Sequence, residues 1–271
     1  MKKQLNALYI MLFVVLAILA WSIYLFVSLD TEPEIPEDYL FYVEQQEQVS
    51  IREDSSENSQ ENSTDTKSIY LSFDADLLSA ENSDFAGWLM LPDTTISFPV
   101  LRTDNNTFYL YRDFNKAYNQ YGSLYFDVLS TPGADNLVIY GHNMGNNRKE
   151  MFSPLVAFQD EVYAAEHPYA YFSASEKEAA DVYELYAVVN FNLLENLDFD
   201  YAQNKFEDPE ERDAFISFLK ARSIFKTDYI PEGQLLILST CNEQYGRNNR
   251  LLICYGKREA EPTLLSCIDE E

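Results

Sequence analysis

From residue 69 onward, short apolar runs alternate with clusters of Pro, Gly, Asn, Asp and Ser. The runs are IYLSF (69–73), GWLML (87–91), SFPVL (97–101), GSLYFD (122–127), NLVIYG (136–141), AYFSAS (170–175), VYELYAVVNFN (182–192), QLLILST (234–240) and RLLICYG (250–256). Runs of this length, rich in β-branched and aromatic residues and bounded by turn formers, predict strands. AYFSAS and VYELYAVVNFN flank the polar EKEAAD and predict a hairpin. About eight strands at this spacing predict a mostly β barrel or sandwich with largely antiparallel neighbours. Two helices interrupt the pattern. Asp208, Pro209 and Glu211 suit the N-cap, first and third positions of a helix over 208–222, in which Ala214, Phe215, Phe218 and Leu219 recur at helical spacing. A second helix is predicted over 154–166, ending before His167-Pro168.

The start of the chain is different. Residues 7–29 (ALYIMLFVVLAILAWSIYLFVSL) carry no charge. As a helix they would span roughly 30 Å, the thickness of a bilayer's hydrocarbon core. Lys2 and Lys3 precede the run, and Asp30, Glu32 and Glu34 follow it. The positive-inside bias then leaves residues 1–6 in the cytoplasm and everything after residue 29 outside. A cleaved signal peptide is the alternative, but its apolar region runs about 7–15 residues and ends in small residues. This run is longer, with Trp21, Tyr24 and Phe26 in its second half, which favours an uncleaved signal-anchor. Residues 30–68 read as an acidic flexible linker, since 44–68 (EQQEQVSIREDSSENSQENSTDTKS) hold too little apolar surface to offset ordering. Within it, 35–43 (IPEDYLFYV) predicts a short helix. Residues 69–271 form the extracytoplasmic domain.

Composition narrows the classes. A 271-residue chain that is 46% hydrophobic and 15% aromatic can build a core, so global disorder is excluded. A net charge of -26 argues against nucleic acid as a partner. Only eight Gly occur, with no GxGxxG or Walker pattern, so phosphate-cradling loops are not indicated.

The three Cys are 241, 254 and 267, and none has zinc spacing. Cys254 lies in an apolar strand run and reads as a small buried hydrophobe; a Cys254–Cys267 disulfide stays open. Cys241 ends the run LLILST and opens the polar loop CNEQYGRNNR, with Arg247 and Arg250 shortly after it. Positive charge beside a thiol favours its thiolate. Of the two His, His167 sits at a helix end, where a cap or dipole partner is the ordinary reading. His142 follows an apolar strand in YGHNMGNN. A thiol, a proton carrier and an arginine, each at a strand end, are the parts nucleophilic catalysis needs.

At these residues the chain resembles the sortases, cysteine transpeptidases that fix proteins to the Gram-positive cell wall. The matching segments are Asn136–Met144 (NLVIYGHNM), Ile237-Leu238-Ser239-Thr240-Cys241 against the family's TLxTC, and Arg250 opening the last core strand. The resemblance covers roughly residues 84–257. YGHNM followed by MFSPL, with LSTC and the helix near 208–222, points to class B. It implies an eight-stranded sortase-type β-barrel with peripheral helices, preceded here by one transmembrane helix. It further implies Cys241 as nucleophile, His142 as acid/base and Arg250 as oxyanion stabiliser. Asn106, Leu110, Ser239 and Thr240 would line the substrate groove. Arg250 is one residue further from Gly256-Lys257 than the family pattern has it, so Arg247 is the alternative arginine. No metal or cofactor is expected. The expected partners are surface proteins bearing a C-terminal sorting signal of NPxTN or NPxTG type, an amine of peptidoglycan or a pilin, and the cell membrane. Two other readings compete. A papain-like peptidase would place His after Cys and Cys near a helix, and a non-catalytic surface module would tolerate Cys241→Ala.

Overall fold

The computed structural model describes residues 46, 49–55, 67–145, 148–174, 179–242 and 245–258, all within the compact unit Phe41–Glu271. The strands are β1 (Ser50–Ser55), β2 (Lys67–Ser72), β3 (Phe85–Met90), β4 (Ser97–Leu101), β5 (Leu124–Phe126), β6 (Asn136–Tyr140), β7 (Tyr169–Ser173), β8 (Asp181–Asn192), β9 (Leu235–Cys241) and β10 (Asn249–Lys257). Eight of them close a barrel in the order β10-β8-β7-β3-β4-β5-β6-β9. β4 with β5 and β6 with β9 are parallel, and the other neighbours are antiparallel. Parallel neighbours need a crossover rather than a tight turn. The crossover from β4 to β5 carries a 3-10 helix at Phe108–Tyr111, which matters for the site.

β6 and β9 are buried almost throughout. The helix α3 (Pro209–Arg222) explains why: Phe215, Ile216 and Leu219 pack in one cluster with Val138, Ile237, Val189 and Tyr186. A strand covered on both faces reads as continuous apolar sequence, as NLVIY and LLIL do. α3 begins as predicted, with the Asp208 carboxylate accepting from the Glu211 N–H at 2.8 Å. The Glu211 carboxylate in turn accepts from the Glu207 N–H, one residue before the cap.

The run 69–73 is not a barrel strand. β2 pairs antiparallel with β1 in a separate two-stranded sheet, so part of the segment read as linker is a strand. Backbone hydrogen bonds and the Arg52 guanidinium over the Tyr70 ring hold β1, and neither needs an apolar face. β2 supplies the burial instead, setting Ile69 and Leu71 against Trp88, Leu101 and Tyr109.

The helix predicted over 154–166 is two pieces, a 3-10 helix at Ser153–Gln159 and α2 (Glu161–Glu166). Leu155 and Phe158, three apart and both buried, follow the tighter period. Asp160 is extended between them, and its carboxylate caps the Val162 and Tyr163 N–H groups at 2.9 and 3.0 Å. α1 (Ala75–Glu81), capped by Asp74, carried no apolar stripe strong enough to predict it.

The run at 7–29, the short helix at 35–43 and Cys267 lie outside the described residues. Among the described residues no helix is long and apolar enough to cross a membrane.

Candidate active site

Three adjacent strands build the site. β6 runs parallel to β9 with Tyr140 opposite Ser239, and β9 runs antiparallel to β10 with Cys241 opposite Arg250. Residues directly opposite in an antiparallel pair share a sheet face, so Cys241 and Arg250 are cross-strand neighbours. His142 follows β6 by one residue. The connecting Gly141 extends the ladder, its N–H donating to the Ser239 carbonyl at 3.3 Å and its carbonyl accepting from the Thr240 hydroxyl at 2.7 Å. The Asn143 amide donates to the Cys241 carbonyl at 3.0 Å, tying the two loops together.

These elements frame a cleft of about 310 Å³. Its lining includes Asn106, Leu110, His142, Ser239, Thr240, Cys241 and Arg250, so all seven residues singled out in the sequence meet there. Arg247 is exposed and outside that lining; its carbonyl accepts from Arg250 Nη1 at 3.1 Å, as does that of Asn249. Register, not spacing, separates the two arginines.

His142 is half-buried and held on two sides. Its Nε2 lies 2.7 Å from the Leu110 carbonyl oxygen, which can only accept, so Nε2 carries a proton and Nδ1 is the second proton site. The Tyr111 ring lies 5.3 Å from the imidazole. Leu110, expected as a groove side chain, thus also acts through its backbone.

Ser123, Tyr125, Tyr140, Gly141 and Tyr201 complete the lining. Tyr140 and Gly141 stand beside His142 in YGHNM, and Ser123 and Tyr125 lie in GSLYFD, so local context could have found them. Tyr201 comes from the loop between β8 and α3, where nothing local marks it. Asn136 at the base of β6 pins that loop, donating to the Tyr201 and Gln203 carbonyls at 3.0 Å each. Tyr201 then meets the Ser239 hydroxyl at 3.3 Å. Burial, together with Cys241, Tyr201 and Asp127, pushes the Tyr125 phenol well above its ordinary range. Burial, Tyr201 and Asp127 do the same to Tyr140. Both stay neutral and serve as hydrogen-bonding groups rather than proton carriers.

Among the described residues no group of His, Cys, Asp and Glu could hold a metal ion. Cys254 is fully buried, and burial pushes its thiol far up, as suits an inert core residue. The arrangement can therefore present a thiol, an imidazole and a guanidinium to one extended ligand.

No family model matches the chain. Two curated proteins named Sortase B, from Listeria monocytogenes and Staphylococcus aureus, are each 25% identical over 181 residues, covering 65% of this chain and 70% of theirs. Among solved structures, Clostridium perfringens sortase B is 25% identical with a TM-score of 0.62, covering 69% of this chain and all of that one. A Bacillus anthracis protein described as similar to sortase B is 23% identical with a TM-score of 0.64, covering 84% of this chain. In sequence and in fold the chain resembles the class B sortases.

Proposed function

We infer that this chain is a class B sortase, a membrane-anchored cysteine transpeptidase that joins a sorting-signal protein to an amine. The observation that carries the reading is the direct opposition of Cys241 and Arg250 across β9 and β10, with His142 lining the same cleft.

The Cys241 thiolate attacks the Thr carbonyl of an NPxTN- or NPxTG-type signal, forming the C–S bond and a tetrahedral oxyanion. Arg250 keeps Nη1 on two backbone carbonyls, which braces the guanidinium and leaves its other N–H groups to donate to the developing charge. Collapse breaks the peptide C–N bond, and His142 gives its proton to the leaving amine. A second amine, from peptidoglycan or a pilin, attacks the thioester and releases the Cys241 thiolate. His142 takes the proton that this amine loses. Asn106, Leu110, Ser239 and Thr240 line the path of the peptide. The uncharged run 7–29 holds the enzyme as a signal-anchor with residues 69–271 outside, and the acidic stretch between that run and β1 spaces the catalytic domain from the membrane.

The test is to incubate the full chain in detergent micelles with NPxTN, NPxTG, SPxTG and LPxTG peptides, with and without amine acceptors. Triglycine is a suitable first acceptor, because a sortase B has been solved in complex with it. Mass spectrometry should find cleavage after Thr and an acceptor-linked product, both abolished in Cys241→Ala. Cleavage of none of the peptides, or cleavage that survives Cys241→Ala, refutes the reading.

A further inference from the structure

Asp127 directly follows β5 and is 3% exposed, behind the cleft wall rather than on it. Its N–H extends the ladder to the Val138 carbonyl at 2.8 Å. One carboxylate oxygen, Oδ1, accepts from the Leu129 N–H at 2.8 Å and caps a turn closed by the Ser130 N–H on the Asp127 carbonyl. That cap needs one oxygen. The other, Oδ2, accepts twice, from Asn106 Nδ2 at 2.7 Å and from the Tyr140 hydroxyl at 2.9 Å. Both donors line the cleft and come from separate parts of the chain, the loop after β4 and the end of β6.

The shared oxygen fixes what each residue offers a ligand. An Asn amide can turn over, exchanging donor for acceptor. Here Asn106 Oδ1 accepts from the Val128 N–H at 2.8 Å while Nδ2 donates to Asp127, so only one orientation satisfies both contacts. One N–H of Nδ2 remains for a ligand. Tyr140 has a single O–H, and with that proton on Asp127 its oxygen can only accept, from the neighbouring Tyr201 hydroxyl or from a ligand in the cleft.

We propose that Asp127 is a positioning residue that sets the polarity of the cleft wall, presenting Asn106 as a donor and Tyr140 as an acceptor to the bound peptide. The wall then takes a segment that offers a C=O to Asn106 and an N–H to Tyr140. The identity of that segment as the sorting signal rests on the transpeptidase reading, whereas the orientation of the two side chains does not.

Asp127→Ser separates the roles, because a serine hydroxyl can still cap the Leu129 N–H but is too short to serve Asn106 and Tyr140. Two measurements are made on the full chain. The first is solvent exchange of the Asn106 side-chain amide by NMR, which needs no activity. It should be slow in the wild type and fast in Asp127→Ser, both read at a temperature where the variant is fully folded. The second is steady-state kinetics on the peptide that is cleaved. KM should rise by about 10- to 100-fold, as expected for losing charge-assisted hydrogen bonds, with kcat within about threefold of wild type.

Asn106 exchange and KM both unchanged would make Asp127 a turn cap alone and overturn the proposal. If the wild type cleaves no peptide, the transpeptidase reading fails, and the amide exchange still decides the role of Asp127. Should the serine variant not fold, Asp127→Asn is read in the same way. Neutralising the shared acceptor weakens both bonds, so unchanged exchange would again overturn the proposal.

Discussion

His142 donates its Nε2 proton to the Leu110 carbonyl across 2.7 Å, so the imidazole is aimed by backbone from another crossover of the barrel. On the proposed mechanism Nδ1 is the nitrogen that exchanges a proton with substrate, and the brace uses no second titratable side chain. His142→Ala should lower kcat by about 10²–10⁴, the usual contribution of a positioned acid/base. His142→Gln, which can still donate to Leu110 but cannot carry a proton, should be equally impaired. Single-turnover cleavage checks both, and an active glutamine variant would remove His142 from the proton path.

The two arginines separate cleanly. Arg250→Ala should reduce turnover by about 10²–10³, the cost of removing an oxyanion donor. Arg247→Ala leaves its backbone carbonyl in place for Arg250 and should change turnover little. Equal, mild effects in the two variants would refute the assignment.

Thiol labelling should distinguish Cys241 from Cys254. Cys241 lines the cleft, whereas Cys254 is fully buried with its thiol pushed far up by desolvation. Iodoacetamide should modify Cys241 in the native protein and Cys254 only after denaturation, as read by peptide mapping.

Gly141 has no room for a side chain. A Cβ there would sit 2.7 Å from the Phe152 ring and press on Leu124. Gly141→Ala should cost about 1–3 kcal/mol by overpacking and displace the adjacent His142. Denaturant unfolding and turnover should fall together; a variant as stable and active as wild type would contradict the packing.

Acid should loosen the loop that carries Tyr201. Partial burial raises the Asp135 carboxyl pKa, but the Phe206 N–H and Lys205 outweigh it and hold the group below its ordinary range. A depressed folded pKa stabilises at neutral pH, and that contribution is lost as pH falls below about 4 through the folded value. The pair is partly exposed, so Asp135→Asn should cost at most about 1 kcal/mol at pH 7. Its unfolding free energy should also fall less steeply in acid, as measured by urea titration at stepped pH.

The sequence by itself located all eight barrel strands, because continuous apolar runs such as NLVIY and LLILST have few alternatives to a strand buried on both faces, but it did not set the run 69–73 apart from them. It also determined α3, whose cap and proline are local signals. The cleft residues were legible where chemistry stands beside a strand end, as with Cys241 and His142. Only the tertiary structure decided what depends on non-local pairing. The parallel register of β6 and β9 brings His142 to Cys241, and the antiparallel register of β10 selects Arg250 over Arg247. β1 holds its place on β2 through backbone bonds, which leave no hydrophobic trace in a polar segment. Tyr201 on the cleft wall and Asp127 behind it are tied there by partners on other segments, Ser239 for one and Asn106 with Tyr140 for the other. A sequence pattern records what a residue must bury, whereas a hydrogen bond between distant segments exists only once the chain has closed.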